Sequence, residues 1–218
     1  METEDYENES EKYNTQSHQS LNQSPKIEQL LTLTAISGEF PYDTFERLNI
    51  SDSYAKIIRH RLTQDGIIQP IIENGLKGIR LTQKGLNRLQ KENYGRYRYV
   101  SGKSRTDVNR RIRNQLYAKT YCSLLNAGIE FLCDRKPYIY NISRNQSPEV
   151  APRFLIDADV LDYEPKFYAS TEIKYELEDR VQQIRNSAMM GLILSYNETY
   201  VLYNADSNKT QFSNATEL

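Results

Sequence analysis

The chain has 218 residues and a formal net charge of −1 at pH 7, which is enough length for one or two compact domains with their own cores. Its 2 cysteines, Cys122 and Cys133, are too few for a disulfide framework or a zinc cluster and lie among apolar neighbours, so we expect buried thiols. Because there is neither an apolar run of about 18 residues nor a charged-then-apolar leader, we expect a cytoplasmic protein without a membrane span.

The charge is distributed unevenly along the chain. Residues 1–24 carry 1 basic and 6 acidic side chains (1 − 6 = −5), residues 52–113 carry 15 and 5 (15 − 5 = +10), and residues 129–218 carry 9 and 14 (9 − 14 = −5). A segment of charge +10 in a nearly neutral chain is typical of a module that binds a polyanion, since each phosphate contact releases counterions. The alternative is a solvated charged surface without such a partner.

The first predicted elements are a tail and a helix. Residues 1–24 are acidic and rich in Asn, Gln and Ser, a composition that predicts a disordered tail. A helix is then predicted to begin with Pro25 at its first position and to end at Gly38. Its apolar stripe, at the spacing i, i+3, i+4 and i+8, consists of Ile27, Leu30, Leu31 and Ala35.

A second short helix is predicted from Pro41 to about Leu48, and a turn leads from it into a third helix, Ser51 to Gln64. The third helix has an apolar face of Ala55, Ile58 and Leu62, and an opposite polar face of Ser53, Lys56, His60 and Thr63. We expect the apolar face to pack and the polar face to be accessible.

After the third helix the sequence predicts a hairpin and another helix. Asp65 and Gly66 close the third helix, and two β-branched runs follow, roughly Ile67–Glu73 and Gly78–Leu81, around Asn-Gly and Lys-Gly turn signals. A new helix opens at Thr82. The order of elements is therefore three helices, a hairpin and a helix.

The phrase Ile-Arg-Leu-Thr-Gln-Lys-Gly, residues 79–85, resembles the end of the wing in many bacterial winged-helix regulators. The resemblance covers Pro25 to Tyr94 and implies that Thr82 caps the following helix. It also implies that residues 25–94 form a winged helix-turn-helix domain, with the third helix in the major groove of double-stranded DNA. The expected DNA contacts are Ser53, Lys56 and His60 to bases, Arg59 and Arg61 to phosphates, and Lys77, Arg80, Arg96 and Arg98 to the backbone or an adjacent minor groove.

A basic linker, residues 95–105, is predicted to lead into a C-terminal domain, residues 106–218. This domain begins with a long helix, Ser104 to Ala127, with an apolar stripe of Val108, Ile112 and Leu116 and with Arg110, Arg111 and Arg113 off that stripe. From Ile129 onward short β-type runs prevail, and the last two, Met189–Tyr196 and Thr199–Tyr203, predict a hairpin. The C-terminal domain is therefore predicted to be a small α/β domain.

One pattern in the C-terminal domain allows catalysis as an alternative. Asp157 or Asp159, followed by Glu172 and Lys174, resembles the aspartate and Glu-x-Lys arrangement of the restriction-endonuclease-like fold. On one extended strand Glu172 and Lys174 would face the same side, so carboxylates could hold a divalent metal beside the lysine. The other interpretation is a surface ion pair on an inactive fold of that type.

Other catalytic schemes have less support in the sequence. His18 lies in the predicted tail and His60 on the third helix, so no histidine pair is available to hold a metal for tyrosine nucleophiles. A phosphate-cradling loop of the form G-x-x-x-x-G-K is absent as well. We therefore expect no cofactor and no enzymatic activity.

A narrower resemblance involves four C-terminal runs. They are Phe167–Lys174, Gln183–Ser187, Gly191–Leu194 and Tyr200–Asn204, and they are similar to the replication-relaxation family of plasmids and integrative elements in Gram-positive bacteria. This resemblance spans most of residues 25–205. It implies a DNA-binding accessory protein in replication, transfer or copy control, with a replication or transfer protein as a further partner.

The sequence therefore predicts an α+β protein in which an N-terminal winged helix-turn-helix is followed by a small α/β domain. The expected function is DNA binding by a homodimer, with regulation of transcription and replication as the open alternatives. The competing hypothesis is a metal-dependent nuclease. A third is that the C-terminal domain binds a ligand or a protein.

Overall fold

The structure, a computed structural model, describes residues 25–98, 100, 107–133, 135–141, 154–156, 163–175, 189–196 and 198–204. The predicted tail, residues 1–24, lies outside these ranges, as do Asp157 and Asp159. Helices and sheets together make this a mixed α+β protein, as the sequence predicted.

The chain divides into two compact units. The first comprises Met1–Leu86 with Gly102–Cys122, and the second comprises Asn87–Ser101 with Ser123–Leu218. This grouping places the beginning of the long helix in the first unit. Arg111 of that helix forms a buried ion pair inside the first unit.

The first helix, α1 (Pro25–Ser37), has the bounds and the buried stripe that the sequence predicted. Proline suits the first position because the amide that it lacks would have no partner within the helix. The helix ends where Gly38 adopts a φ of 81° and its amide donates a hydrogen bond to the Thr34 carbonyl oxygen at 2.9 Å.

A 3₁₀ helix and a second α-helix follow in the first unit. The 3₁₀ helix (Tyr42–Leu48) ends at Asn49, whose φ of 55° turns the chain. Ser51 then caps α2 (Asp52–Gln64), since its hydroxyl accepts a hydrogen bond from the Tyr54 amide at 3.4 Å. These local signals explain why both helices occur where the sequence predicted them.

An antiparallel hairpin follows α2. Its strands are β2 (Ile68–Glu73) and β3 (Leu76–Leu81), joined by Asn74 and Gly75 with φ angles of 52° and 76°. Two successive positive φ angles are typical of the type I′ turn, for which Asn-Gly is a preferred sequence. The predicted second strand, residues 78–81, was too short because Lys-Gly lies within the strand and not in the turn.

β3 is the central strand of a three-stranded sheet. The short strand β1 (Phe40–Pro41) pairs with it on the side away from β2, so the order is β1-β3-β2. Pro70 therefore lies in an edge strand, where its missing amide is tolerated. A strand of two residues has no periodic pattern, so β1 could not be predicted from the sequence.

The next helix, α3 (Gln83–Glu92), is capped by Thr82, which confirms the role implied by the wing resemblance. The Gly85 amide donates to Thr82 Oγ1 at 3.0 Å, and the same hydroxyl donates to the Gly66 carbonyl oxygen at 2.5 Å. A Cβ atom at Gly85 would lie only 2.2 Å from the Ile67 carbonyl oxygen. The structure therefore explains why residues 79–85 include a threonine at position 82 and a glycine at position 85.

Two further helices lie in the segment predicted as linker and long helix. They are α4 (Tyr94–Tyr97) and α5 (Val108–Asn126), and the chain turns after α5 at Gly128, where φ is 81°. In the part of the chain that the structure describes, none of the helices combines the length and the apolar character needed to cross a membrane.

The second unit contains two sheets. The four-stranded sheet has the order β10-β9-β7-β4 and is formed by β4 (Glu130–Phe131), β7 (Lys166–Ala169), β9 (Met189–Leu194) and β10 (Thr199–Tyr203). The three-stranded sheet has the order β6-β5-β8 and is formed by β5 (Tyr138–Asn141), β6 (Phe154–Ile156) and β8 (Lys174–Tyr175). Antiparallel pairing of β9 with β10 confirms the predicted C-terminal hairpin.

The strand β7 ends at Ala169, before Glu172, which the sequence analysis placed on one extended strand with Lys174. Residues 170–172 form a turn in which the Glu172 amide donates to the Ala169 carbonyl oxygen at 2.8 Å. The chain then enters the other sheet at Lys174. Glu172 and Lys174 therefore do not lie on one extended strand, contrary to the prediction.

Candidate nucleic-acid interface

The helix α2 has two chemically distinct faces. Ala55, Ile58 and Leu62 are buried, whereas the three predicted base-facing residues are exposed: Ser53, Lys56 and His60. The separation follows from the helical period, which places residues three or four positions apart on the same side. A hydroxyl, an ammonium and an imidazole group therefore lie along the accessible side of α2.

The two arginines predicted to contact phosphates are less exposed than these residues. Arg59 is half-buried, and its guanidinium carbon lies 4.1 Å from the ring centroid of Tyr42 and 5.4 Å from that of Phe45. Such stacking is favourable for a cation over an aromatic face and holds the side chain against the 3₁₀ helix. Arg61 is also half-buried.

The two predicted basic residues of the hairpin differ in their surroundings. Lys77 is exposed, but Arg80 is buried and donates to Glu39 Oε2 from Nε at 3.0 Å and from Nη2 at 2.7 Å. Residues three positions apart in a strand lie on opposite faces, so only one of the pair can face outward. The predicted DNA contact of Arg80 is therefore wrong.

The remaining pair of predicted contacts, Arg96 and Arg98, belongs to the second unit. Arg96 is half-buried and donates from Nε to the Leu132 carbonyl oxygen at 3.1 Å and from Nη2 to that of Phe131 at 3.3 Å. Its guanidinium thus satisfies two backbone acceptors, which argues against the predicted grip on DNA. Arg98 is exposed.

A buried cluster of ionised side chains lies beside β3. Glu39 and Arg111 are both fully buried, with Arg111 Nη2 2.8 Å from Glu39 Oε1 and Arg111 Nε 3.0 Å from Oε2. Arg80 and Gln115 complete the set, since Gln115 Nε2 donates to Glu39 Oε1 at 2.7 Å. One carboxylate therefore receives two guanidinium groups and an amide.

Arg111 also joins α5 to the end of the hairpin. It donates from Nη1 to the Glu73 carbonyl oxygen at 3.0 Å, and from Nη2 to those of Ile71 and Leu76 at 3.2 Å each. Gly78 makes room for this cluster, because a Cβ atom there would lie 2.7 Å from Glu39 Oε1. The cluster therefore holds the hairpin next to α1 and α5.

The ionisation of Glu39 reflects two opposing effects. Burial by itself raises its pKa, but hydrogen bonds from Arg111, Gln115 and Arg80 outweigh burial, and the pKa of Glu39 lies below its ordinary value. Glu39 is therefore a carboxylate at neutral pH and balances part of the positive charge beside it.

The exposure of α5 differs from the sequence prediction. The stripe predicted to pack is 38% exposed at Val108, 43% at Ile112 and 39% at Leu116, whereas Arg111 is fully buried. The later positions Ala118, Tyr121 and Cys122 are buried. Periodicity alone could not identify Arg111, because its partner Glu39 lies 72 residues away in the sequence.

The second unit holds a separate buried ion pair. Glu172 Oε1 lies 2.5 Å from Lys136 Nζ, and Glu172 Oε2 accepts a hydrogen bond from the Ala169 amide at 2.8 Å. Lys136 Nζ also lies 3.4 Å from the Arg96 carbonyl oxygen. Burial raises the pKa of Glu172 above its ordinary value, while Lys136 and the Ala169 amide oppose that rise.

This pair bears on the nuclease hypothesis. Both carboxylate oxygens of Glu172 already have partners, and the turn before Ile173 separates Glu172 from β8. Asp157, Asp159 and the side chain of Lys174 lie outside the described residues. Within the described ranges, no group of three or more His, Cys, Asp or Glu side chains could hold a metal ion.

Both cysteines are buried and unoxidised, as the sequence predicted. Burial raises the pKa of Cys122 to about 12, and burial, with a further contribution from Glu130, raises that of Cys133 to about 11. Burial therefore disfavours the thiolate, the nucleophilic form, at both positions.

No protein-family model, curated protein or solved structure matches this chain.

Proposed function

We propose that this protein is a non-enzymatic, double-stranded DNA-binding protein whose first unit is a winged helix-turn-helix. In this proposal α2 lies in a major groove, and the hairpin β2–β3 is the wing beside it. The observation that carries the proposal is the exposed polar face of α2, with Ser53, Lys56 and His60 opposite an apolar face anchored in the unit. These side-chain types hydrogen-bond base edges and phosphates.

The positive charge of residues 52–113 supports the same function, but two of its arginines are not available to DNA. Of the 15 basic residues in the +10 segment, Arg80 and Arg111 are paired with Glu39, which lies outside that segment. They stabilise the fold and do not contribute to a surface for phosphates. Lys56 and Lys77 are exposed on α2 and on β3, and both suit electrostatic attraction to DNA.

Alanine substitutions on α2 and on the hairpin should have different effects on DNA binding. Lys56→Ala and His60→Ala should each weaken binding to a preferred duplex by about 1–3 kcal/mol, the range for loss of a base contact. Lys77→Ala should weaken binding to all duplexes alike and lower the salt slope by about 1, because a phosphate contact carries no sequence information.

The measurement is a fluorescence-anisotropy titration at several salt concentrations, with a duplex that the full chain selects from a randomised pool. Lys26→Ala on α1 is the matched control, since this lysine donates to the Asn49 carbonyl oxygen and is not among the proposed DNA contacts. Affinities that stay at the wild-type value in all three test variants would refute the proposed interface.

We also propose that the DNA-bound form is a homodimer assembled through α5. Val108, Ile112 and Leu116 recur every fourth residue and are all more than a third exposed, which is a surface that a second copy would cover. Two copies would also place two α2 helices on successive turns of DNA.

Ile112→Glu should then yield a monomer in sedimentation velocity, whereas the neighbouring Asn109→Glu should remain a dimer. A monomeric wild-type protein would contradict this assembly.

The biological setting that we propose is replication, transfer or copy control of a plasmid or integrative element, by regulation of transcription or as an accessory factor. The resemblance to the replication-relaxation family supports it, and three of the resembling runs include residues of the adjacent strands β7, β9 and β10. The second unit would then contact a replication or transfer protein.

DNase footprinting along the element that carries the gene tests this setting. We expect protection confined to an origin or a promoter, whereas uniform protection along the DNA would oppose the proposal.

A further inference from the structure

An exposed isoleucine lies within the polar face of α2. Ile57 is 55% exposed, although the helix buries its other aliphatic side chains, Ala55, Ile58 and Leu62. Single exposed aliphatic residues are common on protein surfaces, but the position of this one is informative. Ile57 is on the side of α2 that is proposed to enter the DNA groove.

The helical period places Ile57 near the middle of that side. Ser53, Ile57, His60 and Gln64 follow one another at the spacing i, i+4, i+7 and i+11, so they form one line along the helix. Lys56 and Arg61 flank this line, and together with Ile57, His60 and Gln64 they line a shallow, open depression on the surface. The isoleucine therefore lies where base edges would lie, between Lys56, which is proposed to contact a base, and Arg61, which is suited to a phosphate.

The chemistry of the major groove restricts what an isoleucine can recognise there. Its side chain has no donor or acceptor, so it cannot read the hydrogen-bonding groups of the bases. The thymine C5-methyl group is the apolar feature that a base pair presents in the major groove. Burying a methyl group against Ile57 would be favourable, whereas a polar base edge against it would lose its hydrogen bonds with water.

We infer that Ile57 is a specificity-determining residue that contacts the C5-methyl group of a thymine in the preferred DNA site. This inference rests on the proposed DNA-binding function and adds to it the chemical identity of one recognised group. It also assigns different roles to two neighbours, since Lys56 binds through charge and hydrogen bonds while Ile57 discriminates thymine from the other bases.

Thymidine-to-deoxyuridine replacement tests the inference, because it removes only the methyl group from the DNA. The full wild-type chain first selects a duplex from a randomised pool, and each thymidine of that duplex is then replaced in turn by deoxyuridine. We expect one position at which wild-type affinity falls about fourfold, the value of one buried methyl group. At that position Ile57→Ala should bind the two duplexes equally.

A matched control comes from α1. Ile36 on α1 is partly exposed and is not among the proposed DNA contacts, so Ile36→Ala removes the same atoms from another position of the first unit. This variant should keep the fourfold preference for thymidine. The wild-type comparison needs no substitution in the protein, so a folding defect in a variant cannot produce the expected result.

The other outcomes separate this inference from the proposed function. Tight wild-type binding that is unaffected by deoxyuridine at every position would overturn the role of Ile57 and leave DNA binding intact. An equal loss with the wild type and Ile57→Ala would also overturn it, and would assign the methyl contact to another residue. If the full chain enriches no duplex at all, both the inference and the proposed function fail.

Discussion

Replacement of Arg111 by alanine should lower the free energy of unfolding of the first unit by about 3–5 kcal/mol, the range for removing one partner of a buried ion pair. Without the Arg111 guanidinium, Glu39 keeps only the cation of Arg80 in this cluster, and the carbonyl groups of Ile71, Glu73 and Leu76 lose a donor. Such a loss is comparable with the whole stability of a small unit. We therefore expect the hairpin to lose its protection and DNA binding to fall with it.

The matched control for this substitution is Arg110→Ala. Arg110 is the preceding residue of α5, is partly exposed, and forms an ion pair with Asp107 at 3.7 Å. Its loss should cost about 1 kcal/mol or less, as is usual for surface ion pairs. Hydrogen exchange followed by mass spectrometry can report residues 68–81 separately, which matters because a chain of two units need not unfold in one step. Equal protection of this segment in both variants would show that the cluster does not stabilise the hairpin.

Replacement of Lys136 by alanine should have a similar effect in the second unit, again about 3–5 kcal/mol, because Glu172 would remain buried without its cation. The pKa of Glu172 is already raised by burial, so the loss should depend on pH. A carboxyl group whose pKa is raised in the folded state destabilises the fold at pH values above its ordinary pKa of 4.5. This destabilisation disappears as the pH falls toward 4.5. The destabilisation by Lys136→Ala should therefore be largest at neutral pH and small near pH 4.5.

A double substitution separates the pair from its surroundings. Lys136→Met combined with Glu172→Leu replaces both ions by apolar groups of similar size and should be markedly more stable than Lys136→Ala alone. Chemical denaturation followed by circular dichroism gives the free energies for such a cycle. If the single and double variants lose equal stability, the Lys136–Glu172 pair is not what stabilises this turn. An increase in stability on adding Mg²⁺ that requires Glu172 would instead favour the nuclease hypothesis.

The elements that could be predicted from the sequence are those with local causes. Pro25 and Gly38 bound α1, and the Asn74–Gly75 turn bounds the hairpin. Thr82 likewise caps α3, because its hydroxyl accepts the amide of a residue only three positions away. Each signal involves neighbours in the chain, so no knowledge of the tertiary fold was needed.

What could not be predicted depends on contacts distant in the sequence. Arg111 is fully buried because Glu39 meets it from 72 residues away, and a pattern of charges on α5 cannot reveal that partner. The turn at residues 170–172 similarly depends on Lys136, whose ammonium group reaches Glu172 across 36 residues. In both places a charged side chain that the sequence suggested was exposed or functional stabilises the interior of a unit.

The candidate interface likewise includes features that the sequence predicts correctly and features that it does not. The exposed and buried faces of α2 follow from its period, so Ser53, Lys56 and His60 were placed correctly on the accessible side. Arg80 was misplaced although the alternation of β3 separates it from Lys77, a signal that was present in the sequence. Ile57 was not predicted as a contact, because only polar and charged side chains of this helix were considered as DNA contacts.

Photocrosslinking tests DNA binding through α2 most directly. His60→p-benzoylphenylalanine places a photoreactive group on the proposed reading face, and Gln29→p-benzoylphenylalanine places the same group on the exposed side of α1. With a duplex selected by the wild-type chain, we expect a covalent protein–DNA adduct from position 60 and none from position 29. An adduct from position 29 alone, or none from position 60 while a mobility shift shows bound DNA, would contradict recognition by α2.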